Sequence, residues 1–152
     1  MENLFENRFL RIDYSKERCC LYHLWKSQTI AANWENMKNG FLKYIETIES
    51  LQPVNVIVDE REMEYVFSPA EQEWIDSVMT PRAINAGTKR IAIVTSKYEF
   101  VEIATKLMMD EGDVQKLGPK FTKTIEEAEA WVEQQNILDK TSSSVKDKTR
   151  TG

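Results

Sequence analysis

The stretch "VNVIVDEREMEYVFSPAEQEW" (residues 54–74) places a strand, a loop and a helix start in direct succession. Residues 54–59 form a short β-branched run between turn signals, which is typical of an interior strand in a parallel sheet. Ser68 can cap the following helix, Pro69 suits its first position, and Glu71 completes a capping-box pattern. A buried strand that leads through a loop into a capped helix indicates an α/β domain.

Strand and helix patterns alternate along the rest of the chain. Residues 9–14 alternate apolar and polar side chains, and residues 19–25 follow after a short polar link, which predicts a hairpin. A single apolar stripe predicts one long helix from about Thr29 to Leu51. Further strands are expected at residues 89–96 and 120–123, and further helices at residues 68–87, 98–112 and 125–135. The order β-β-α-β-α-β-α-β-α predicts a mixed, mostly parallel five-stranded sheet with helices packed on it.

Length and composition predict one folded domain followed by a tail. A chain of 152 residues suits a single domain with its own hydrophobic core. No internal repeat or long linker divides the chain, and the domain is expected to span residues 1–137. Residues 138–152 contain almost no apolar side chains, so they are predicted to form a disordered C-terminal tail.

Charge and composition argue against several classes of protein. The net charge of −5 makes a nucleic-acid partner unexpected, because phosphates repel an acidic surface. No apolar run approaches the roughly 20 residues that a transmembrane segment needs, and residues 1–14 lack the pattern of a signal peptide. The adjacent Cys19 and Cys20 are not expected to form a disulfide with each other. A reduced, cytoplasmic protein is therefore predicted.

The sequence contains no recognisable catalytic or cofactor motif. His23 is the single histidine and no cysteine lies at ligand spacing from it, so neither a metal site nor a cofactor is expected. No glycine-rich phosphate loop and no G-x-S-x-G nucleophile pattern occur, which favours a protein that is not an enzyme. Asp59, Glu60 and Glu62 leave two alternatives. They form a carboxylate site at the end of a parallel strand, or a solvated loop in which Arg61 pairs locally.

Several stretches together resemble a known bacterial family. The succession of "FLRIDY", "CCLYHLW", "VNVIVD", "SPAEQEWI", "PRAINAGTKRIAIV" and "TIEEAEAWV" is similar to the SpoIIAA-like group. This group includes STAS domains (sulfate transporter and anti-sigma factor antagonist) and is related in fold to CRAL-TRIO lipid-binding domains. The resemblance covers about residues 8 to 135. It implies a small bacterial regulatory module that works through contacts with other proteins.

The resemblance departs from the family pattern at the regulatory position. Anti-sigma factor antagonists carry a phosphorylatable Ser or Thr directly after the aspartate that ends the third strand. Here Asp59 is followed by Glu60, Arg61 and Glu62, and the first hydroxyl is that of Ser68. Ser68 is therefore expected to be a helix cap rather than a phosphorylation site.

Two functions from different classes follow from these observations. In the first, a protein partner binds the loop 59–67, with Asp59, Arg61 and Tyr65 as its main contacts, since Arg and Tyr are frequent interface hot spots. A homodimer is also compatible with this function. In the second, the domain binds a small apolar ligand or lipid in a CRAL-TRIO-like pocket. That pocket would be lined by Trp34, Phe41, Phe67 and Trp74.

Overall fold

The computed structural model describes residues 1–150, with the backbone alone for residues 144–150. It is an α/β fold built on a six-stranded sheet. The strands are β1 (Glu2–Glu6), β2 (Leu10–Ser15), β3 (Cys20–Trp25), β4 (Asn55–Asp59), β5 (Arg90–Val94) and β6 (Lys120–Thr122). The helices are α1 (Trp34–Leu51), α2 (Pro69–Trp74), α3 (Thr80–Asn85), α4 (Glu99–Met109) and α5 (Ile125–Arg150). A π-helical turn spans Ile75–Met79, and 3₁₀ turns span Ser27–Ala31 and Asp113–Leu117.

The strands lie in the sheet in the same order as in the chain. β1, β2 and β3 pair antiparallel, and β3, β4, β5 and β6 pair parallel. Each parallel pair needs a crossover, and crossovers are almost always right-handed. Because successive crossovers advance in one direction, their helices all cover one face of the sheet, and α5 covers the other. The predicted α/β class and the mixed, mostly parallel sheet are confirmed.

The prediction of five strands is wrong, because β1 adds a sixth at the edge of the sheet. β1 pairs with β2, and its register shifts between Asn3 and Phe5. The apolar residues of this strand, Leu4 and Phe5, are adjacent instead of alternating. An irregular, half-exposed edge strand of this kind lacks the two-residue period by which strands are recognised.

The long helix predicted from Thr29 begins later, at Trp34. The residues before it form a 3₁₀ turn, and Ala32 and Asn33 are extended. Asn33 caps α1 by accepting a hydrogen bond from the Asn36 amide at 2.9 Å, and the Asn36 side chain accepts one from the Asn33 amide at 3.0 Å. This reciprocal cap fixes the start of α1 five residues after Thr29, because it satisfies two amides that the helix itself leaves unpaired.

The capping box predicted for α2 is confirmed. The Ser68 hydroxyl accepts a hydrogen bond from the Glu71 amide at 3.2 Å, and the Glu71 carboxylate accepts one from the Ser68 amide at 3.3 Å. Pro69 occupies the start of the helix, as expected. These contacts define where the loop 59–67 ends.

Helix α5 continues into the segment that is predicted to be a disordered tail. Residues 138–143 are helical, and the Asp139 carboxylate pairs with the Arg90 guanidinium on β5. The disordered tail predicted from residue 138 stays a prediction, and most of it falls outside the residues whose side chains are described. The side chains of residues 144–152 lie outside the described part of the protein. Within residues 1–150, no helix combines the length and apolar composition that crossing a membrane requires.

Two hydrophobic clusters lie on opposite faces of the sheet. The larger one packs α1, the π-helical turn, α3 and α4 against Leu21, Trp25, Val56, Val58 and Ile93. The smaller one packs Ala128 and Val132 of α5 against Cys20, Ile57 and Val94. This division follows the two-residue alternation of the strands. The helices that pack against the larger cluster therefore determine which side chains surround any cavity on that face of the sheet.

Gly40 lets α1 approach the sheet closely. A Cβ atom at this position would lie 2.9 Å from the Trp25 ring and 3.3 Å from Leu10. Both Trp25 and Gly40 are buried, so neither side has free space to give. The missing side chain thus sets the distance between helix and sheet.

We expect Gly40→Ala to destabilise the protein by about 1–2 kcal/mol, because the clash outweighs the roughly 1 kcal/mol that alanine contributes in a helix interior. The exposed neighbour Asn39 provides the control, since Asn39→Ala should be neutral or slightly stabilising. Urea unfolding of the three proteins measures both effects. A stabilised Gly40→Ala would show that α1 can move away from Trp25 at no cost.

Candidate ligand-binding site

The charged loop between β4 and α2 folds back into the protein. Asp59, Glu60, Met63 and Phe67 are all buried, at 5%, 3%, 0% and 6% exposure. The Ser96 hydroxyl donates a hydrogen bond to the Met63 carbonyl at 3.0 Å and so ties the loop to the end of β5. The loop is therefore a wall of the core and not the solvated connection that its sequence suggests.

The three predicted contact residues are held by partners within the chain. The Arg61 guanidinium binds the Asp59 carboxylate through two nitrogens, at 3.0 and 2.7 Å, which agrees with the local pairing considered for Arg61. The Tyr65 hydroxyl donates to the Glu71 carboxylate at 2.8 Å, and its ring lies 5.0 Å from that of Phe67. Asp59 and Arg61 are thus in contact with each other, whereas Tyr65 is hydrogen-bonded to Glu71 in the first turn of α2.

A small cavity of about 70 Å³ lies between the sheet and the helices that pack against the larger cluster. His23 on β3 and Glu60 after β4 both line it, among mainly apolar side chains that include Phe41, Tyr44 and Phe67. In the β3–β4 register His23 is paired with Val58, two residues before Glu60. Because side chains two residues apart share a face of a strand, His23 and Glu60 point to the same side of the sheet.

The His23 imidazole is the most unusual group in this cavity. It is 1% exposed, and neither ring nitrogen has a hydrogen-bond partner within the described residues. Its ring instead packs against Tyr44 and Trp25, at 4.3 and 4.6 Å between centroids. Burial lowers the pKa of His23 to about 3, so the ring is neutral and presents one donor and one acceptor. A buried polar atom without a partner costs about 1–3 kcal/mol.

Glu60 is the second polar group of the cavity. The pKa of its carboxyl is raised to about 7, chiefly by burial; the hydrogen bond from Thr105 lowers it and the nearby Asp59 charge raises it. That bond, from the Thr105 hydroxyl to Oε1, is 2.8 Å long. Near pH 7 the carboxyl can therefore hold a proton or release it, so it can donate or accept a hydrogen bond.

An open groove of about 300 Å³ adjoins the inner cavity. Its walls come from the start of α2, the π-helical turn, the end of α4 and the following 3₁₀ turn. Five residues line both spaces: Ile75, Thr80, Met108, Met109 and Val114. π-helical turns occur frequently at functional sites. Here the turn supplies side chains to both spaces, with Ile75 on the wall of each.

Asp76 and Gly112 shape the far edge of the groove. The Asp76 carboxylate accepts hydrogen bonds from the amides of Asp113 and Val114, both at 3.0 Å. A Cβ atom on Gly112 would lie 2.4 Å from this carboxylate, and Gly112 has φ +79°. Glycine is therefore required at this position both by the backbone conformation and by the approach of Asp76.

Part of this site was visible in the sequence and part was not. Phe41 and Phe67 line the cavity, as the apolar-ligand hypothesis predicts. Trp34 and Trp74 do not line it; they pack edge-to-face on each other at 5.4 Å, outside it. From the sequence, His23 was expected only to fail as a metal ligand, and Glu60 was treated together with Glu62, which is exposed. The signal for Glu60 was its position directly after an interior strand, where alternation turns it away from Asp59.

No protein-family model, curated protein or solved structure matches the chain. The resemblance to the SpoIIAA-like group therefore stays a prediction that rests on the sequence stretches quoted above.

Glu60→Gln should change how stability depends on pH. The pKa of Glu60 rises from an ordinary value of 4.5 to about 7 on folding, so folding takes up a proton between these values. The wild type should accordingly lose about 3 kcal/mol through this group as the pH rises from 4.5 to 7. Glutamine does not titrate. As the pH rises from 4.5 to 7, the free energy of unfolding of Glu60→Gln should therefore increase relative to that of the wild type. Above pH 7 this difference should stay nearly constant.

Urea unfolding at pH 5, 6, 7 and 8 measures this difference. His23 has the opposite effect below pH 6.5, because its lowered pKa makes folding release a proton, but it is present in both proteins and cancels in the comparison. Glu62→Gln, in an exposed pair with Lys97, should match the wild type within about 0.5 kcal/mol at each pH. A constant difference between Glu60→Gln and the wild type would mean that Glu60 is solvated.

Proposed function

We propose that the protein binds a small molecule with a hydrogen-bonding head and an apolar body. The observation that carries this proposal is the His23 imidazole, buried on the wall of a cavity with both nitrogens unpaired. Phenylalanine would fill a buried aromatic position with a smaller penalty in folding free energy than histidine, since phenylalanine leaves no polar atom unsatisfied. The chain carries this cost on the wall of a cavity, where a ligand head can satisfy it.

The two adjoining spaces suggest which part of the ligand lies where. An apolar cavity of about 150 Å³ accommodates benzene, so about 70 Å³ suits only a head group. The groove, at about 300 Å³, lies at the lower end of the range for small-molecule pockets. Ile75, Met108 and Val114 give it an apolar wall. We therefore infer a head beside His23 and Glu60 and a body in the groove.

Hexanamide tests this proposal, because its amide offers one acceptor and two donors on a short apolar chain. His23 is the single histidine, so a long-range ¹H–¹⁵N spectrum contains the ring signals of one residue. Titration with hexanamide should move both ring ¹⁵N signals of His23 in a saturable manner. Unchanged His23 signals at saturating hexanamide, with shifts elsewhere on the protein, would contradict the proposed site.

His23→Phe should separate stability from binding. Phenylalanine keeps a planar ring against Tyr44 and Trp25 while removing two unpaired nitrogens, so we expect a gain of about 1–3 kcal/mol in the free energy of unfolding. The same variant should lose hexanamide binding in calorimetry. A variant that is stabilised and still binds hexanamide with wild-type affinity would exclude His23 as a contact.

The regulatory, protein-contact function expected from the resemblance is our second proposal, and a different surface supports it. Phe100, Ile103 and Leu107 of α4 are 59%, 51% and 65% exposed, and their spacing puts them on one stripe of the helix. Helix-in-groove partners are recognised through such spacing. The segment that leads into α4 is tied to the loop 59–67, because the Lys97 amide donates a hydrogen bond to the Arg61 carbonyl at 3.1 Å.

Two double variants compare the predicted loop with this stripe. Phe100→Ser with Leu107→Ser should abolish association with a protein partner and change stability by only about 0.5 kcal/mol, since both side chains are exposed. Arg61→Gln with Tyr65→Phe, which preserves the tyrosine ring, should retain the partner. Quantitative affinity capture tests a partner protein, and sedimentation velocity tests a homodimer. The reverse result would return the contact surface to Arg61 and Tyr65.

A further inference from the structure

The charges around the two adjoining spaces are all of one sign. Glu60 lines the inner cavity, and Glu73, Asp76 and Glu111 line the groove. Among the residues whose side chains the structure describes, no lysine or arginine lines either space. Neither Glu73 nor Glu111 forms an ion pair within the described residues, whereas Asp76 is occupied by two backbone amides. A ligand that approaches the cavity therefore meets a negative potential along its path.

The inner cavity contains hydrogen-bond donors and acceptors, and the one side chain in it that can carry a charge near neutral pH is the acidic Glu60. The Glu60 carboxylate offers acceptor oxygens, and the Thr105 hydroxyl already uses its proton on one of them. The neutral His23 ring adds one acceptor nitrogen and one N–H donor. The Tyr44 hydroxyl and the Trp25 indole N–H are further donors on the wall, and the Thr80 hydroxyl already donates to Asp76. Among the described residues that line the cavity there is no lysine or arginine to neutralise an incoming anion. A ligand head that donates hydrogen bonds fits this arrangement better than one that only accepts them.

We propose that the ligand head is a protonatable nitrogen, as in an amine or a weak nitrogen base on an apolar chain or ring. Its N–H groups donate to the Glu60 carboxylate and to the acceptor nitrogen of His23. Carboxylate ligands such as fatty acids are expected to bind more weakly, because they would lie beside the ionised Glu60 carboxylate and be repelled by it, or would require Glu60 to hold its proton. This inference rests on the proposed small-molecule function and narrows it to one class of ligand.

Proton exchange makes the pairing feasible in a buried site. An isolated charge is costly to bury, but a charge-assisted hydrogen bond between a carboxylate and a nitrogen cation offsets part of that cost. The raised pKa of the Glu60 carboxyl, about 7, means that releasing its proton near neutral pH costs little. A nitrogen base can therefore enter as the cation or take up the proton from Glu60 on arrival, and both routes end in the same ion pair.

A series of three ligands with the same six-carbon chain length tests the inference at pH 7. Hexylamine carries a cation, hexanamide is neutral, and hexanoate carries an anion. We expect hexylamine to bind at least about tenfold more tightly than hexanoate, with hexanamide between them. Calorimetry measures the affinities, and the His23 ring ¹⁵N signals show that each ligand occupies the cavity.

Glu60→Gln is the decisive variant and Glu62→Gln its matched control. Glu60→Gln should reduce the preference for hexylamine over hexanamide to within about twofold, because glutamine keeps the shape but not the charge. Glu62→Gln, in the same loop but outside both spaces, should keep the wild-type preference. If Glu60→Gln does not fold, the ranking of the three ligands on the wild type decides alone.

The outcomes distinguish this inference from the proposed function. Hexanamide binding at His23 without a preference for hexylamine would overturn the nitrogen-base inference and leave the small-molecule function standing. Tighter binding of hexanoate than of hexylamine would also overturn it. Failure of all three ligands to move the His23 signals would overturn both.

Discussion

The alternation of side chains at the end of β4 is the constraint on which the site depends. Consecutive residues of a strand point to opposite faces, so Asp59 and Glu60 cannot both reach the same environment. Asp59 pairs with Arg61, whose side chain is 43% exposed, while Glu60 is buried and bonded to Thr105 of α4. The loop must then follow Glu60 inward, and Met63 and Phe67 fill the space around it. One structural rule thus explains why a highly charged loop lies against the core.

The same rule explains how much of the structure was predictable. The interior strands and the Ser68 cap follow from local patterns, namely β-branched runs and the Ser–Pro–x–Glu signature. β1 has no such pattern, and its pairing is decided by the free edge of β2. Burial of Glu60 was not predictable from its charged neighbours, because it depends on Thr105, 45 residues further along the chain. The role of His23 was missed for a similar reason: its unpaired nitrogens are a property of packing.

His23 and Glu60 both oppose folding at neutral pH, since each is a polar group in a mainly apolar surrounding. The larger cluster, with Trp25, Phe41 and Ile45 fully or almost fully buried, supplies the stabilisation that tolerates them. In cores selected for stability alone, apolar side chains of similar volume replace such groups at little cost. Two of them on one small cavity are consistent with a site in which a bound molecule restores the missing interactions.

The side chains that line both the groove and the cavity also bear on how the proposed ligand would reach His23. Ile75, Met108 and Met109 line both spaces, so these side chains form the boundary between them. Methionine is unbranched and adapts its shape at lower cost than other core residues. Hydrogen bonds tie the elements on either side: amides of the 3₁₀ turn donate to the Asp76 carboxylate, and the Thr105 hydroxyl of α4 donates to the Glu60 carboxyl. If a ligand enters by the groove, as the proposed function requires, these adaptable side chains would move to admit it, and the strand that carries His23 would not need to shift.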